Sequence, residues 1–260
     1  MRSTFDVDVV VLDIEGTTSA TGFVVDVLYP YSRSRFGALL AERGDDPQVR
    51  RAVAQVRELL GEPDAGTVRI EEALNEWLDG DVKATPLKTL QGVIWAEGFA
   101  RGDLVSHFYD DVVPVLRRWH GDGIRLHVYS SGSVAAQRAW FASSPDGDLL
   151  PLVDGLYDTE NAGPKQEPES YRCIAAATGT QAGRLLFLSD RPGELDAARA
   201  AGWHAVGIRR PGEPYYEQGV GDHAQAGSFD EIDIIRSGSG SDTSARTSSG
   251  TGTSTSGSTT

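Results

Sequence analysis

The clearest pattern in the chain is a short apolar run that ends in two acids. Residues 7–12 read VDVVVL, and Asp13 and Glu15 follow just before a Gly-Thr-Thr loop. β-Branched and aliphatic residues in such a run favour a buried strand. Because open α/β sheets bind ligands beyond the carboxyl ends of their strands, we predict that both acids lie at a site of chemistry.

Residues 22–104 carry helical periodicity without a strand signal. The apolar residues Phe23, Val24, Val27 and Leu28 predict a short helix, and we expect Pro30 to end it. Apolar residues then recur at helical spacing in three segments, which begin at Asp46, Ile70 and Thr85. We therefore predict that residues 22–104 form a helical insert that lies over the site.

From Asp111 onward, helix and strand signals alternate along the chain. The predicted strands cover residues 124–129, 153–157, 185–188 and 205–208. Repeated strand and helix units imply a parallel sheet with right-handed crossovers. The predicted fold class is therefore α/β, a doubly wound parallel sheet that carries a helical insertion.

The composition changes abruptly near the end of the chain. Residues 237–260 are almost wholly Ser, Gly and Thr. Such a segment has no apolar side chains to offset the entropy of ordering, so we expect a disordered tail. The predicted domains are an α/β core of residues 1–21 and 105–236, a helical cap of residues 22–104, and this tail.

Charge and cysteine content narrow the classes of partner. The formal net charge is -14, which argues against nucleic acid or an anionic membrane as a partner because both need a basic face. The single cysteine, Cys173, excludes an internal disulfide, and its place on an apolar helix stripe predicts burial. With no apolar run of membrane-spanning length, we expect a cytoplasmic protein. We also expect a monomer.

Polar residues lie at four places where a predicted strand ends or in the loop that follows it. They are Asp13 and Glu15, then Ser130, Ser131 and Gly132, then Lys165, and finally Asp190. Their order resembles the haloacid dehalogenase (HAD) superfamily of phosphotransferases. The strings LDIEGTT, YSSGS, LQGVIW and FLSD followed by ELDAA are similar, more narrowly, to the enolase-phosphatases, the acireductone synthases of methionine salvage. This resemblance covers roughly residues 7–236.

The resemblance implies a HAD-like fold and two reactions on one substrate. The first is enolisation of 2,3-diketo-5-methylthiopentyl-1-phosphate. The second is hydrolysis of its phosphate through an aspartyl-phosphate, which gives the acireductone 1,2-dihydroxy-3-keto-5-methylthiopentene. The class of enzyme implied is a Mg²⁺-dependent phosphoric monoester hydrolase acting on a small phosphate ester.

The resemblance also implies a role for each polar residue. Asp13 is the nucleophile, because a carboxylate can form an acyl-phosphate. Hard oxygen ligands suit Mg²⁺, and the expected ligands are Asp13, Glu15 and Asp190. The expected phosphate-binding residues are Ser130, Ser131, Gly132 and Lys165. Glu15 is also the candidate base for enolisation.

Simpler interpretations of the same residues stay open. Asp13 and Glu15 could be a polar turn, Ser130 and Ser131 a helix cap with Ser133 as another N-cap, and Lys165 a solvated surface charge. Two rival functions follow from the residues. One is a HAD phosphatase that acts on another small phosphate ester without enolisation, and the other is a non-catalytic phosphate-binding module.

Two further points follow from the resemblance. Arg191-Pro192-Gly193 departs from the family pattern, which leaves open how Glu194 and Asp196 are aimed and whether they support the metal. Phe23, Tyr29 and Trp95 of the insert are candidates to cover the apolar methylthio end of the substrate.

Overall fold

A computed structural model of the chain describes residues 2–80, 82 and 84–236, so the predicted tail at 237–260 lies outside the described residues. The strands are β1 Ser3–Asp6, β2 Val9–Leu12, β3 Arg125–Tyr129, β4 Gly155–Tyr157, β5 Leu185–Ser189, β6 His204–Ile208, β7 Ala224–Ala226 and β8 Ile232–Ile235. Six of them form a parallel sheet in the order β4-β3-β2-β5-β6-β7. The remaining pair, β1 and β8, forms a separate parallel ladder.

Residues 21–101 form a long helical stretch, and after it the helices alternate with the strands. They are α1 Thr21–Phe23, a π-helix Val24–Leu28, α2 Tyr29–Arg33, α3 Phe36–Glu42, α4 Pro47–Leu60, α5 Thr67–Asp79, α6 Thr85–Arg101, α7 Val112–Gly121, α8 Val134–Ala142, α9 Pro168–Thr178 and α10 Pro192–Ala200. Short 3₁₀ turns cover Leu150–Leu152, Ala182–Arg184 and Phe229–Glu231. The predicted α/β class with a parallel sheet is confirmed.

Strand β2 lies at the centre of the sheet and is covered on both faces. Val10 and Leu12 belong to a hydrophobic cluster that includes residues of α7 and α8. Val9 and Val11 belong to a second cluster that includes residues of α9 and α10. Because both faces are buried, the strand reads as a continuous apolar run, and its carboxyl end lies beside those of β3 and β5.

The helical stretch has a hydrophobic cluster of its own. Its members include Phe36, Val49, Ile70, Leu74 and Leu90, all fully buried. The predicted N-cap is confirmed, since Asp46 accepts hydrogen bonds from the amides of Gln48 and Val49. A separate cluster is what a cap domain needs, but the boundaries of residues 22–104 stay a prediction.

The proline near the start of this stretch does not end the helix, so that prediction was wrong. Helical structure runs from Thr21 to Arg33, with a π-helix in the middle. The Tyr29 amide donates to the carbonyl of Val24, five residues earlier, and Pro30 follows at the start of α2. Proline has no amide hydrogen, so its position at the change from π to α register leaves no donor unpaired.

Cys173 is exposed, which contradicts its predicted burial. The buried residues of α9 are Ser170, Tyr171 and Ile174. Position 173 falls outside the stripe that they define, because a helix turns about 100° per residue. Within the described part of the chain, every helix is too short or too polar to cross a membrane.

Candidate active site

Asp13 directly follows β2 and is buried. Its amide donates to the carbonyl of Leu188 on the neighbouring strand at 2.9 Å, which continues the sheet by one residue. Its Oδ1 accepts the amide of Ile14 at 2.8 Å and lies 2.7 Å from Nζ of Lys165. The hydroxyl of Ser189 donates to Oδ2 at 3.3 Å. Donors on both oxygens therefore fix the orientation of this carboxylate.

Lys165 lies between two carboxylates and is only 8% exposed. Its Nζ is 2.7 Å from Asp13 Oδ1 and 2.6 Å from Glu194 Oε2. Burial works against the charged amine, but the two carboxylates outweigh it and raise the pKa of Lys165. The lysine is therefore a fixed positive charge inside the protein, and the interpretation as a solvated surface charge was wrong.

The loop before Lys165 is held by side chains of the core. Gly163 has a φ of +108°, and a side chain there would lie 2.6 Å from Ser170 Oγ. The Ser170 hydroxyl donates to the carbonyl of Pro164 at 2.8 Å, and the Tyr171 hydroxyl donates to the carbonyl of Lys165 at 2.8 Å. Both donors lie at the start of α9, so this helix sets the position of the lysine.

Glu194 is part of the site, which the sequence had left open. It lies in the first turn of α10, is 2% exposed, and accepts the Ser189 hydroxyl at 2.9 Å as well as contacting Lys165. Burial and the charge of Asp13 raise the pKa of Glu194, against the opposing effect of Lys165. Asp196 lies elsewhere, since it pairs with His223 at 2.9 Å and with Arg199.

Asp190 directly follows β5 and lies against the backbone of Gly16. Gly16 has a φ of +70°, and a Cβ there would lie 2.2 Å from Asp190 Oδ2. Burial, Asp13 and Glu194 raise the pKa of Asp190 to about 8. Among the described residues, its buried Oδ1 has no hydrogen-bond partner. The charge of Lys165 opposes this rise in pKa without forming an ion pair with Asp190, so Asp190 is a buried carboxyl group that is only partly compensated.

The loop that carries Glu15 folds back on itself. Glu15 is exposed and forms an isolated backbone bridge with Ser19, and the amide of Gly16 donates to the carbonyl of Ser19 at 2.7 Å. The Thr18 hydroxyl donates to the carbonyl of Asp13 at 3.1 Å. Glu15 thus lies at the surface of a rigid loop whose base is the buried Asp13.

Ser130 follows β3 and is 4% exposed. Its hydroxyl accepts the amide of Gly132 at 3.2 Å, whereas Ser131 is exposed. The N-cap of α8 is Ser133, whose hydroxyl accepts the amide of Ala136 at 3.3 Å. The structure therefore places the cap at Ser133, as the alternative interpretation allowed. Ser130 remains as a buried hydroxyl at the end of the strand.

The residues at this edge of the sheet fit a hard divalent cation. The three acids Asp13, Glu194 and Asp190 outnumber the two nearby cations, the buried Lys165 and the half-exposed Arg191, which lies 3.8 Å from Glu194. A carboxyl oxygen of Asp190 without a hydrogen-bond partner lies among them. No group of three or more His, Cys, Asp or Glu in the described ranges is arranged to hold a metal by side chains alone. Two carboxylates completed by carbonyl oxygens and water are the donors that Mg²⁺ accepts.

Comparisons with known proteins agree on one family. The sequence profile of the haloacid dehalogenase-like hydrolases matches residues 7–202. The chain is 84% identical over 237 residues to Enolase-phosphatase E1 of Streptomyces avermitilis, covering 91% of this chain and 99% of that protein. It is 52% identical over 227 residues to Enolase-phosphatase E1 of Frankia alni, covering 87% of this chain and 95% of that protein.

A solved structure has the same architecture. The crystal structure of the UTR4 protein of Saccharomyces cerevisiae superposes with a TM-score of 0.71 at 31% identity, covering 86% of this chain and 99% of that one. The similarity therefore extends over the helical stretch as well as the sheet.

Proposed function

The chain belongs to the enolase-phosphatases of the haloacid dehalogenase-like hydrolases, and we propose that Asp13 is the nucleophile of its phosphatase reaction. The supporting observation is the buried carboxylate of Asp13 at the end of the central strand, 2.7 Å from the buried amine of Lys165. An Asp13 oxygen attacks phosphorus, the ester oxygen leaves, and water then hydrolyses the aspartyl-phosphate.

The proposed substrate is 2,3-diketo-5-methylthiopentyl-1-phosphate. The enzyme enolises this diketone and then removes its phosphate, which gives the acireductone 1,2-dihydroxy-3-keto-5-methylthiopentene of methionine salvage. We propose Glu15 as the base that takes the proton during enolisation, because it is exposed and lies two residues beyond the nucleophile. Enolisation thereby takes place beside the phosphoryl group rather than at a separate site.

Lys165 and the loop after β3 bind the phosphate. The Lys165 amine stays charged and lies against the nucleophile, so it offsets the repulsion between two anions as they approach. Ser130 supplies a hydroxyl, and the amides of Ser131 and Gly132 supply donors near the start of α8. The Gly132 amide is bonded to the Ser130 hydroxyl here, so binding a phosphate oxygen requires that contact to open.

Asp13, Glu15 and Asp190 are the residues that would hold Mg²⁺. When bound, the ion neutralises charge on the phosphoryl oxygens and polarises the neighbouring carbonyl. The excess of buried carboxyl groups supports this assignment, since the three acids need a counter-charge beyond Lys165 and the half-exposed Arg191. Residues 22–104 would act as a cap over this edge of the sheet. The cytoplasmic location and the monomeric state stay predictions.

The proposal is tested by giving the purified protein the diketone phosphate with Mg²⁺. We expect release of inorganic phosphate together with a transient ultraviolet absorbance of the enol, and we expect EDTA to stop both. Phosphate release without the transient would favour a phosphatase that does not enolise. Activity that survives EDTA would contradict the proposed need for Mg²⁺. No turnover at all would contradict the proposed substrate.

A further inference from the structure

The two chain segments that join the sheet to the helical stretch lie side by side. The outgoing segment is residues 16–21 and the returning segment is residues 102–111. The amide of Tyr109 donates to the carbonyl of Thr18 at 3.0 Å, which links the two directly. The orientation of the helical stretch over the site therefore depends on what holds these segments.

A glutamate from a third segment contacts both. Glu213 lies in the long loop between β6 and β7 and is 9% exposed. Its carboxylate accepts the amide of Thr21 at 3.1 and 3.2 Å and the hydroxyl of Tyr109 at 2.6 Å. One buried carboxylate thus fastens the first residue of the helical stretch and the returning segment to the core.

Neighbouring contacts hold the rest of this junction independently of Glu213. Arg210 forms a buried ion pair with Asp111 at 2.8 Å and donates to the carbonyl of Thr17. His107 Nδ1 accepts the amide of Ala20 at 3.2 Å. The part of the loop nearest Asp13 therefore has its own supports, and Glu213 acts beyond it, where the helical stretch begins.

We propose that Glu213 is a positioning residue that sets the orientation of the helical cap over Asp13 and Lys165 for the enolisation substrate. Glu213 contacts neither residue, so it positions the cap through the two connecting segments. Its charge also acts on Asp190, but a change at Asp190 would affect every phosphate ester and not the diketone alone. The inference deepens the proposed function and rests on it, because it takes residues 22–104 to be the part that covers the diketone.

The closing experiment compares two substrates in three variants. Glu213→Ala removes both contacts, Tyr109→Phe removes one hydroxyl, and Glu217→Ala is the control, an exposed glutamate in the same loop. We expect kcat/KM for the diketone phosphate to fall about tenfold to a hundredfold in Glu213→Ala, since small misplacements of bound groups cost rates of this order. Tyr109→Phe should fall less, and Glu217→Ala should match the wild type.

Hydrolysis of p-nitrophenyl phosphate separates positioning from simple loss of stability. This ester has no diketone to orient, so all three variants should hydrolyse it like the wild type, within about twofold. Equal losses on both substrates, or no loss on either, would overturn the inference. Should Glu213→Ala fold poorly, Glu213→Met gives the same comparison, because its side chain is of similar length and lacks the oxygen that accepts both hydrogen bonds.

A measurement without substrate tests the role of Glu213 independently of the proposed substrate. Hydrogen exchange at the amides of Thr21 and Tyr109 should become faster in Glu213→Ala, whereas exchange in β2 and β5 should not change. Unchanged exchange at both amides would overturn the inference. If instead the wild type fails to turn over the diketone while exchange responds as expected, the proposed substrate is wrong and the positioning contact stands.

Discussion

The amine of Lys165 lies 2.7 Å from Oδ1 of Asp13, and both side chains are almost completely buried. Two charges withdrawn from water in this way depend on each other, because each alone carries a large desolvation cost. The contact that orients the Asp13 carboxylate thus also determines whether the folded core tolerates its charge.

Replacing Lys165 should reduce both stability and activity. Lys165→Met leaves Asp13 without its cation and Glu194 with only the half-exposed Arg191. Removing one partner of a buried pair typically costs about 3–5 kcal/mol. We expect a lower urea midpoint for unfolding and no measurable phosphate release. Lys88→Met, at an exposed lysine, is the control and should leave both unchanged. A stable, active Lys165→Met protein would contradict the role of the lysine.

Replacing Asp13, the proposed nucleophile, should stop turnover without unfolding the protein. Asp13→Asn keeps the shape and the acceptor oxygen for Ile14, but an amide cannot form the acyl-phosphate. Phosphate release should fall to background, while circular dichroism and the melting temperature show a folded protein. Asp45→Asn, at an exposed aspartate, should retain full activity. Undiminished turnover in Asp13→Asn would refute the assignment.

A methyl group at Gly16 should damage the site more than the same change elsewhere. The φ of +70° and the 2.2 Å approach to Asp190 Oδ2 both oppose a side chain at Gly16. Gly61 has a φ of +68° with nothing within 4 Å, so Gly61→Ala isolates the backbone cost, about 1 kcal/mol. We expect Gly16→Ala to lose activity and Gly61→Ala to keep it. Assays of phosphate release and thermal melting check this.

The response to Mg²⁺ should depend on Asp190. In wild-type protein, added Mg²⁺ should raise the melting temperature, because a ligand that binds only the folded state stabilises it. Burial raises the pKa of Asp190 to about 8, so folding without metal forces this carboxyl to take up a proton at neutral pH. Asp190→Asn removes that cost, so the metal-free variant should melt at a higher temperature than metal-free wild type. It should also lose the Mg²⁺ shift and the activity. An unchanged Mg²⁺-dependent rise in melting temperature would exclude Asp190 as a ligand. Asp222→Asn, at an exposed aspartate, is the control.

His127 should make the protein less stable as the pH falls. Burial lowers the pKa of His127 to about 4, and in the described chain neither ring nitrogen has a hydrogen-bond partner. The unfolded chain binds this proton near its ordinary pKa of about 6.5, so stability declines as the pH drops from there towards 4, by up to about 3 kcal/mol. His127→Gln should flatten this decline in urea unfolding, whereas exposed His120→Gln should not. An equal dependence of stability on pH in the two variants would contradict this role of His127.

The sequence predicted those features that depend on local pattern. The buried strand before Asp13 was predictable because its apolar run is continuous, and the N-cap at Asp46 because capping needs only neighbouring residues. The failures at Pro30 and Cys173 arose from local details as well, a π register in one case and an angular offset on a helix in the other. The helical spacing of apolar residues is too coarse a pattern to show either of these details.

Contacts between distant segments could not be predicted in the same way. The Ser189 hydroxyl reaches Asp13 across 176 positions of sequence, and Glu213 reaches Thr21 across 192. Nothing in the local sequence around Glu213 distinguishes it from the exposed Glu217 four residues later. For Glu194 a signal did exist, because it occupies the first turn of the helix that follows Asp190. The family resemblance alone left open where the side chain of Glu194 points.

The hydrogen bond between the Tyr109 amide and the Thr18 carbonyl limits how the helical stretch can move. The helical stretch also packs directly on the core, where the rings of Phe23 and Phe99 contact Trp140 edge-on. Sliding across the sheet would require the hydrogen bond to break. Any opening of the helical stretch should therefore change its distance to the sheet edge that carries Asp13 most at the far end of the helices and least at the connecting segments.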